Sequence, residues 1–109
     1  MPKKLLISDE VPTLVLERLR GWGILIRNTR QIQQMRAQDL CTRLGISRTT
    51  LRRLEQGDPG AGAGLYLNVL MTLGVMDIVA YPPPEVLLMS EHARRRVRLK
   101  QADGLDDDF

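Results

Sequence analysis

Asp39-Leu40-Cys41-Thr42-Arg43-Leu44-Gly45-Ile46-Ser47-Arg48-Thr49-Thr50-Leu51-Arg52-Arg53-Leu54-Glu55-Gln56-Gly57 is the stretch that decides the fold. At about 100° of rotation per residue, a helix from Arg48 to Gln56 gathers Arg48, Thr49, Arg52 and Arg53 into an arc of roughly 140°. Leu51 and Leu54 then fall on the opposite side. Guanidiniums and a hydroxyl on one face of a short helix match what the DNA major groove presents, since arginine can donate two hydrogen bonds to a guanine edge. Upstream, Leu40, Cys41 and Leu44 recur at helical spacing, and Gly45 can end that helix. Ser47 is placed to cap the next one. Thr50 stands where a capping box would need Glu or Gln, so a simple cap is expected. Two short helices joined by a tight turn containing Gly make a helix-turn-helix.

The pattern Leu40-Cys41-x-x-Leu44-Gly45-Ile46-Ser47-x-x-Thr50-Leu51-x-x-Leu54-Glu55-x-Gly57 resembles the signature of the Cro and phage-repressor type of helix-turn-helix proteins, the Xre family. The resemblance extends over roughly residues 13 to 80 and is specific from Leu40 to Gly57, with Cys41 where the family usually has Ala. It implies an all-α, compact five-helix repressor-like domain that binds operator double-stranded DNA as a homodimer and regulates transcription, most often by repression. By the same resemblance Arg48, Thr49 and Arg53, followed by Arg52, contact bases. Phosphate contacts are expected from Arg36, Gln38, Arg43, Ser47, Thr50 and Gln56, around the rim of that surface. The family usually starts its second helix with a capping Ser, Thr or Asn followed by Gln, whereas this chain has Arg36 and Ala37. Glu55, beside Leu51, turns inward, and the resemblance pairs it with Arg30. The Gly57-Asp58-Pro59-Gly60 ending, the long tail and the small size are also similar to HipB-like members. The alternative expectation is therefore an antitoxin whose main role is to bind a HipA-like toxin protein.

A chain of 109 residues allows one small core plus tails. Its formal net charge of +3 is weak evidence for any polyanionic partner, but the distribution says more. From Thr13 to Ala80 there are nine basic residues, all Arg, against five acidic ones. Residues 94 to 100 add Arg94, Arg95, Arg96, Arg98 and Lys100, and Asp103, Asp106, Asp107 and Asp108 form an acidic end. That basic run has three readings: an accessory DNA arm, a partner-binding tail, or a solvated helix end.

The single cysteine, Cys41, cannot form an internal disulfide, and no export signal follows Lys3 and Lys4, so a cytoplasmic location is expected. No apolar run is long enough for a membrane span. Cys41 and His92 have no neighbours at metal-ligand spacing, so neither metal nor cofactor is expected. Gly60-x-Gly62-x-Gly64 lacks the Lys and preceding strand of a phosphate loop and is expected to be a flexible connector. No catalytic constellation can be assembled, and an enzyme is not expected.

Three segments follow: an N-terminal arm (1–12), a DNA-binding domain (13–81), and a C-terminal extension (82–109) for dimerisation or partner binding. In the arm, Leu5-Leu6-Ile7 is either a brief strand or an extended element. Leu16, Leu19, Trp22 and Ile26 predict a first helix from Pro12 and Thr13 to about Gln31, which Gly21 and Gly23 weaken enough to allow a kink or a late start near Trp22. Further helices are predicted from Arg36 or Ala37 to Leu44, Arg48 to Gln56, Leu65 to Leu73 and Met76 to Ala80, with a loop over 57–64. Pro82-Pro83-Pro84 stops the last of them. Beyond it, Glu85 to Phe109 is either helix or strand.

Overall fold

The apolar residues at spacings of three and four form α1, Thr13–Ile32, which begins after Pro12. In the computed structural model, residues 10–89 and 91–104 are described, and all regular structure among them is helical. The order is α1, α2 (Ala37–Leu44), α3 (Arg48–Glu55), a single 3-10 turn (Pro59–Ala61), α4 (Ala63–Leu73), α5 (Met76–Val79), α6 (Glu85–Leu88) and α7 (Glu91–Gly104). The arm at Leu5-Leu6-Ile7 and the acidic end at Asp106, Asp107 and Asp108 lie outside the described residues. Among those described, no helix is long and apolar enough to cross a membrane.

Helix α1 is the spine against which α3 and α4 pack, and α2 packs on α3. The core consists of Ile26 from α1, Leu40 and Cys41 from α2, Leu51 and Leu54 from α3, and Tyr66, Val69, Leu70 and Leu73 from α4. Leu19, Trp22, Met35 and Val79 close its edges. Helices α2, α3 and α4 are each too short to be stable alone in water, so burial of one apolar stripe per helix supplies most of the driving force. Two polar ties reinforce the packing. Gln33 Nε2 donates to the Leu73 carbonyl at 2.9 Å, and Tyr66 Oη donates to the Asp58 carbonyl at 2.7 Å.

Three sequence expectations are corrected. First, α1 runs unbroken through Gly21 and Gly23, and Gly23 is there for space rather than for a kink. A Cβ at Gly23 would stand 2.5 Å from the Glu55 carbonyl oxygen and 2.7 Å from that of Leu54. Gly57, at φ +77°, makes the reciprocal approach: a Cβ there would stand 2.6 Å from Arg20 Cα. Second, the stretch 57–64, expected as a loop, contains a 3-10 turn over Pro59–Ala61. The Asp58 side chain accepts from the Gly60 amide at 2.8 Å and caps the 3-10 turn. Third, α4 starts at Ala63, two residues before the predicted Leu65. Gly64 falls in the first turn, where the helix amides have no intrahelical partners to lose. Helix α1 ends close to the expected Gln31, in a turn with no glycine. Gln34 takes φ +58°, with its amide on the Gln31 carbonyl and the Met35 amide on the Arg30 carbonyl, both at 2.9 Å.

The tail after Pro82-Pro83-Pro84 is helical. Helices α6 and α7 pack on each other, and none of their described side chains belongs to the core. Leu87, Leu88 and Leu99 remain exposed.

The two α1 glycines should respond oppositely to the same change. A Cβ at Gly21 would meet nothing within 4 Å, so Gly21→Ala should stabilise by about 0.5–1 kcal/mol through helix propensity. Gly23→Ala should destabilise by roughly 1–3 kcal/mol through overpacking against α3. Urea unfolding of the two variants checks the signs.

Candidate nucleic-acid interface

The turn between α2 and α3 is built from local chemistry. Gly45 adopts φ +71°, its amide donates to the Thr42 carbonyl at 3.3 Å, and the Ile46 amide donates to the Cys41 carbonyl at 3.0 Å. This is the paired bonding of a Schellman end. Ser47 then caps α3, its Oγ accepting from the Thr50 amide at 3.1 Å. The Ser47 hydroxyl also donates to Thr50 Oγ1 at 3.0 Å. The two hydroxyls expected to hold phosphates are therefore bonded to each other.

With Leu51 and Leu54 buried, α3 leaves Arg48, Thr49, Arg52 and Arg53 exposed. Tertiary packing adds a residue absent from the sequence expectations. Arg27, on the exposed side of α1, joins Arg30, Ala37, Arg48, Leu51, Arg52, Glu55 and Gln56 around an open concavity of about 320 Å³. No hydrogen bond or ion pair holds Arg27, Arg48 or Arg52 among the described residues. The summed positive charge of these guanidiniums makes the concavity an anion-attracting surface. The signal for Arg27 was present but undecodable: it lies one helical turn before Arg30, and only the α1–α3 crossing brings it to α3.

At the floor of the concavity, Arg30 Nε donates to Glu55 Oε2 at 3.0 Å, and Arg30 Nη1 to the Met35 carbonyl at 3.1 Å. The two side chains are only 12% and 15% exposed. Arg30 is thus consumed in joining α1 to α3 and is not one of the outward cations.

Arg53 has a partner within the protein. Expected among the leading base contacts, it is held by the protein's own carboxylate, Nε donating to Asp58 Oδ2 at 2.7 Å. Arg36 lies 3.6 Å from Asp39 in a largely exposed pair, which contributes little. Gln38 Nε2 donates to Thr42 Oγ1 at 3.3 Å, while Arg43 and Gln56 are exposed.

The hydrogen bond from Arg53, then that from the Gly60 amide, holds the Asp58 carboxyl below its ordinary 3.8. Burial pushes Tyr66 up to about 12, with the Asp58 charge adding to it. Tyr66 also meets Trp22 edge-to-face, ring centroids 5.8 Å apart. Compared with protein families, curated proteins and solved structures, the chain matches none of them.

Two outcomes follow from these contacts. Glu55→Ala leaves a guanidinium nearly buried without its carboxylate and should cost about 3 kcal/mol in urea unfolding. For Tyr66 the folded pKa lies above the ordinary 10.0, so its contribution is complete below pH 10 and is lost as pH rises toward 12. Tyr66→Phe should therefore cost about 1 kcal/mol at neutral pH and flatten the alkaline decline. Unfolding midpoints measured across that range test both effects. For Asp58 the depressed carboxyl has the opposite sign, its contribution being present above 3.8 and lost as pH falls below that value.

Proposed function

We propose that the chain is a sequence-specific double-stranded DNA-binding protein, a transcriptional regulator of the repressor type. In this reading α2 and α3 form a helix-turn-helix within a five-helix domain from α1 to α5, and α3 enters the major groove. Arg48, Thr49, Arg52 and Arg53 meet base edges. Arg27 from α1, Gln38 and Arg43 from α2, Arg36 just before α2 and Gln56 just after α3 meet the flanking phosphates. Ser47 and Thr50 can add to them by exchanging their mutual bond for a phosphate oxygen.

The observation that carries the reading is the division of α3 into two faces. Leu51 and Leu54 are inside, Glu55 is neutralised by Arg30, and the guanidiniums of Arg48 and Arg52, unpaired among the described residues, are outside beside Arg27. A helix used only for packing has no need of such a cluster. The protein acts as a homodimer in this reading, so light scattering on a duplex with half-sites about one DNA turn apart should give two chains per duplex.

A second reading draws on α6 and α7, whose exposed Leu87, Leu88 and Leu99 lie outside the core. These leucines offer a surface for a toxin-like protein partner, and an antitoxin of this kind would retain its DNA site. Substitution of the three leucines should then abolish toxin binding without altering the DNA isotherm.

Fluorescence anisotropy on a duplex selected from a random pool tests the main reading. Arg48→Ala should lose about 1–3 kcal/mol on the selected duplex and relax one position. Arg36→Ala should weaken all duplexes alike and lower the salt slope by about one unit. Absence of binding to any duplex at low ionic strength would refute the proposal.

A further inference from the structure

We propose that Asp58 is a positioning residue for Arg53, presetting its guanidinium to recognise a guanine edge. The inference rests on the DNA-binding reading and extends it to a residue that reads no base itself. Arg53 is tied to Asp58 twice. Its Nε donates to Asp58 Oδ2 at 2.7 Å, and its carbonyl accepts from the Asp58 amide at 3.0 Å.

Asp58 cannot easily turn away. Its other carboxylate oxygen accepts from the Gly60 amide at 2.8 Å, and its carbonyl accepts from the buried Tyr66 hydroxyl at 2.7 Å. The chain of contacts runs from the Trp22–Tyr66 core pair through the 3-10 turn to the end of an exposed arginine. Gly60 makes room for it, since a Cβ there would stand 3.3 Å from Asp58 Oδ1 and 3.4 Å from Arg53 Nη2.

The chemistry favours positioning over simple neutralisation. A guanidinium has five N–H donors in a rigid plane, and the bond to Asp58 uses only Nε. Both terminal amino groups remain unbonded among the described residues, on a side chain that is 45% exposed. Those two groups form the fork that donates to guanine O6 and N7. A fork already oriented by a carboxylate loses less rotamer freedom on binding than a free arginine. The carboxylate also repels phosphates, so Asp58 lowers affinity for arbitrary DNA while favouring the one site where Arg53 finds its guanine.

The test uses the full chain and duplexes selected from a random pool, with base preference measured at every position beside the salt slope and the urea midpoint. Asp58→Asn keeps an oxygen for the Gly60 amide and removes the charge. It should reduce the guanine preference at one base pair per half-site on the order of tenfold, while affinity for unrelated DNA rises. Arg53→Lys, which keeps the charge without the fork, should lose the same preference, and in Arg53→Ala the Asp58→Asn change should have no further effect on it.

Undiminished preference in Asp58→Asn overturns the proposal while leaving the DNA reading intact. So does a loss spread evenly over all positions with a lowered urea midpoint, which marks a purely structural role. A wild-type chain that binds no duplex overturns both.

Discussion

The crossing of α1 and the end of α3 is the constraint on which the remaining structure depends. At Gly23 the backbone of α3 lies where any side chain of α1 would have to stand, and at Gly57 the relation is reversed. Two missing Cβ atoms therefore set the distance between the helices. The Arg30–Glu55 pair then holds them in that register. Hydrophobic burial alone is non-directional; it would hold α3 against α1 without deciding its angle or depth. The close approach and the ion pair supply that decision.

Charge is sorted by the same arrangement. Five cationic side chains lie on or near the concavity, and the structure assigns them different tasks. Arg30 is spent inside, Arg53 is held by Asp58, and Arg27, Arg48 and Arg52 are left without intramolecular partners among the described residues. Concentrating like charges on one surface costs stability through repulsion, which a partner of opposite charge would relieve. On the proposed DNA-facing side, the paired Arg53 and the unpaired Arg48 and Arg52 are thus different kinds of donor: one preset in direction, the others able to adapt.

The C-terminal part follows other rules. After Pro82-Pro83-Pro84, α6 and α7 engage each other, and the core ends at Val79. Arg95, Arg96, Arg98 and Lys100 are exposed on α7, together with Leu99.

Much of the helical layout was legible in the residues themselves. Three- and four-residue apolar spacing located the first five helices, Gly45 and Ser47 marked the turn between α2 and α3, and the proline run marked the end of the core, because these signals act over one or two helical turns. Long-range relations were not legible in that way. Nothing local distinguishes Gly21, which faces open space, from Gly23, which receives α3, and nothing near Arg53 shows that Asp58 will close on it once the chain turns at Gly57. Arg27 becomes a neighbour of Arg48 only through the crossing. Periodicity tells each helix which face to bury, whereas the depth and angle at which two backbones meet depend on atoms far apart in the chain, and only the folded structure brings those together.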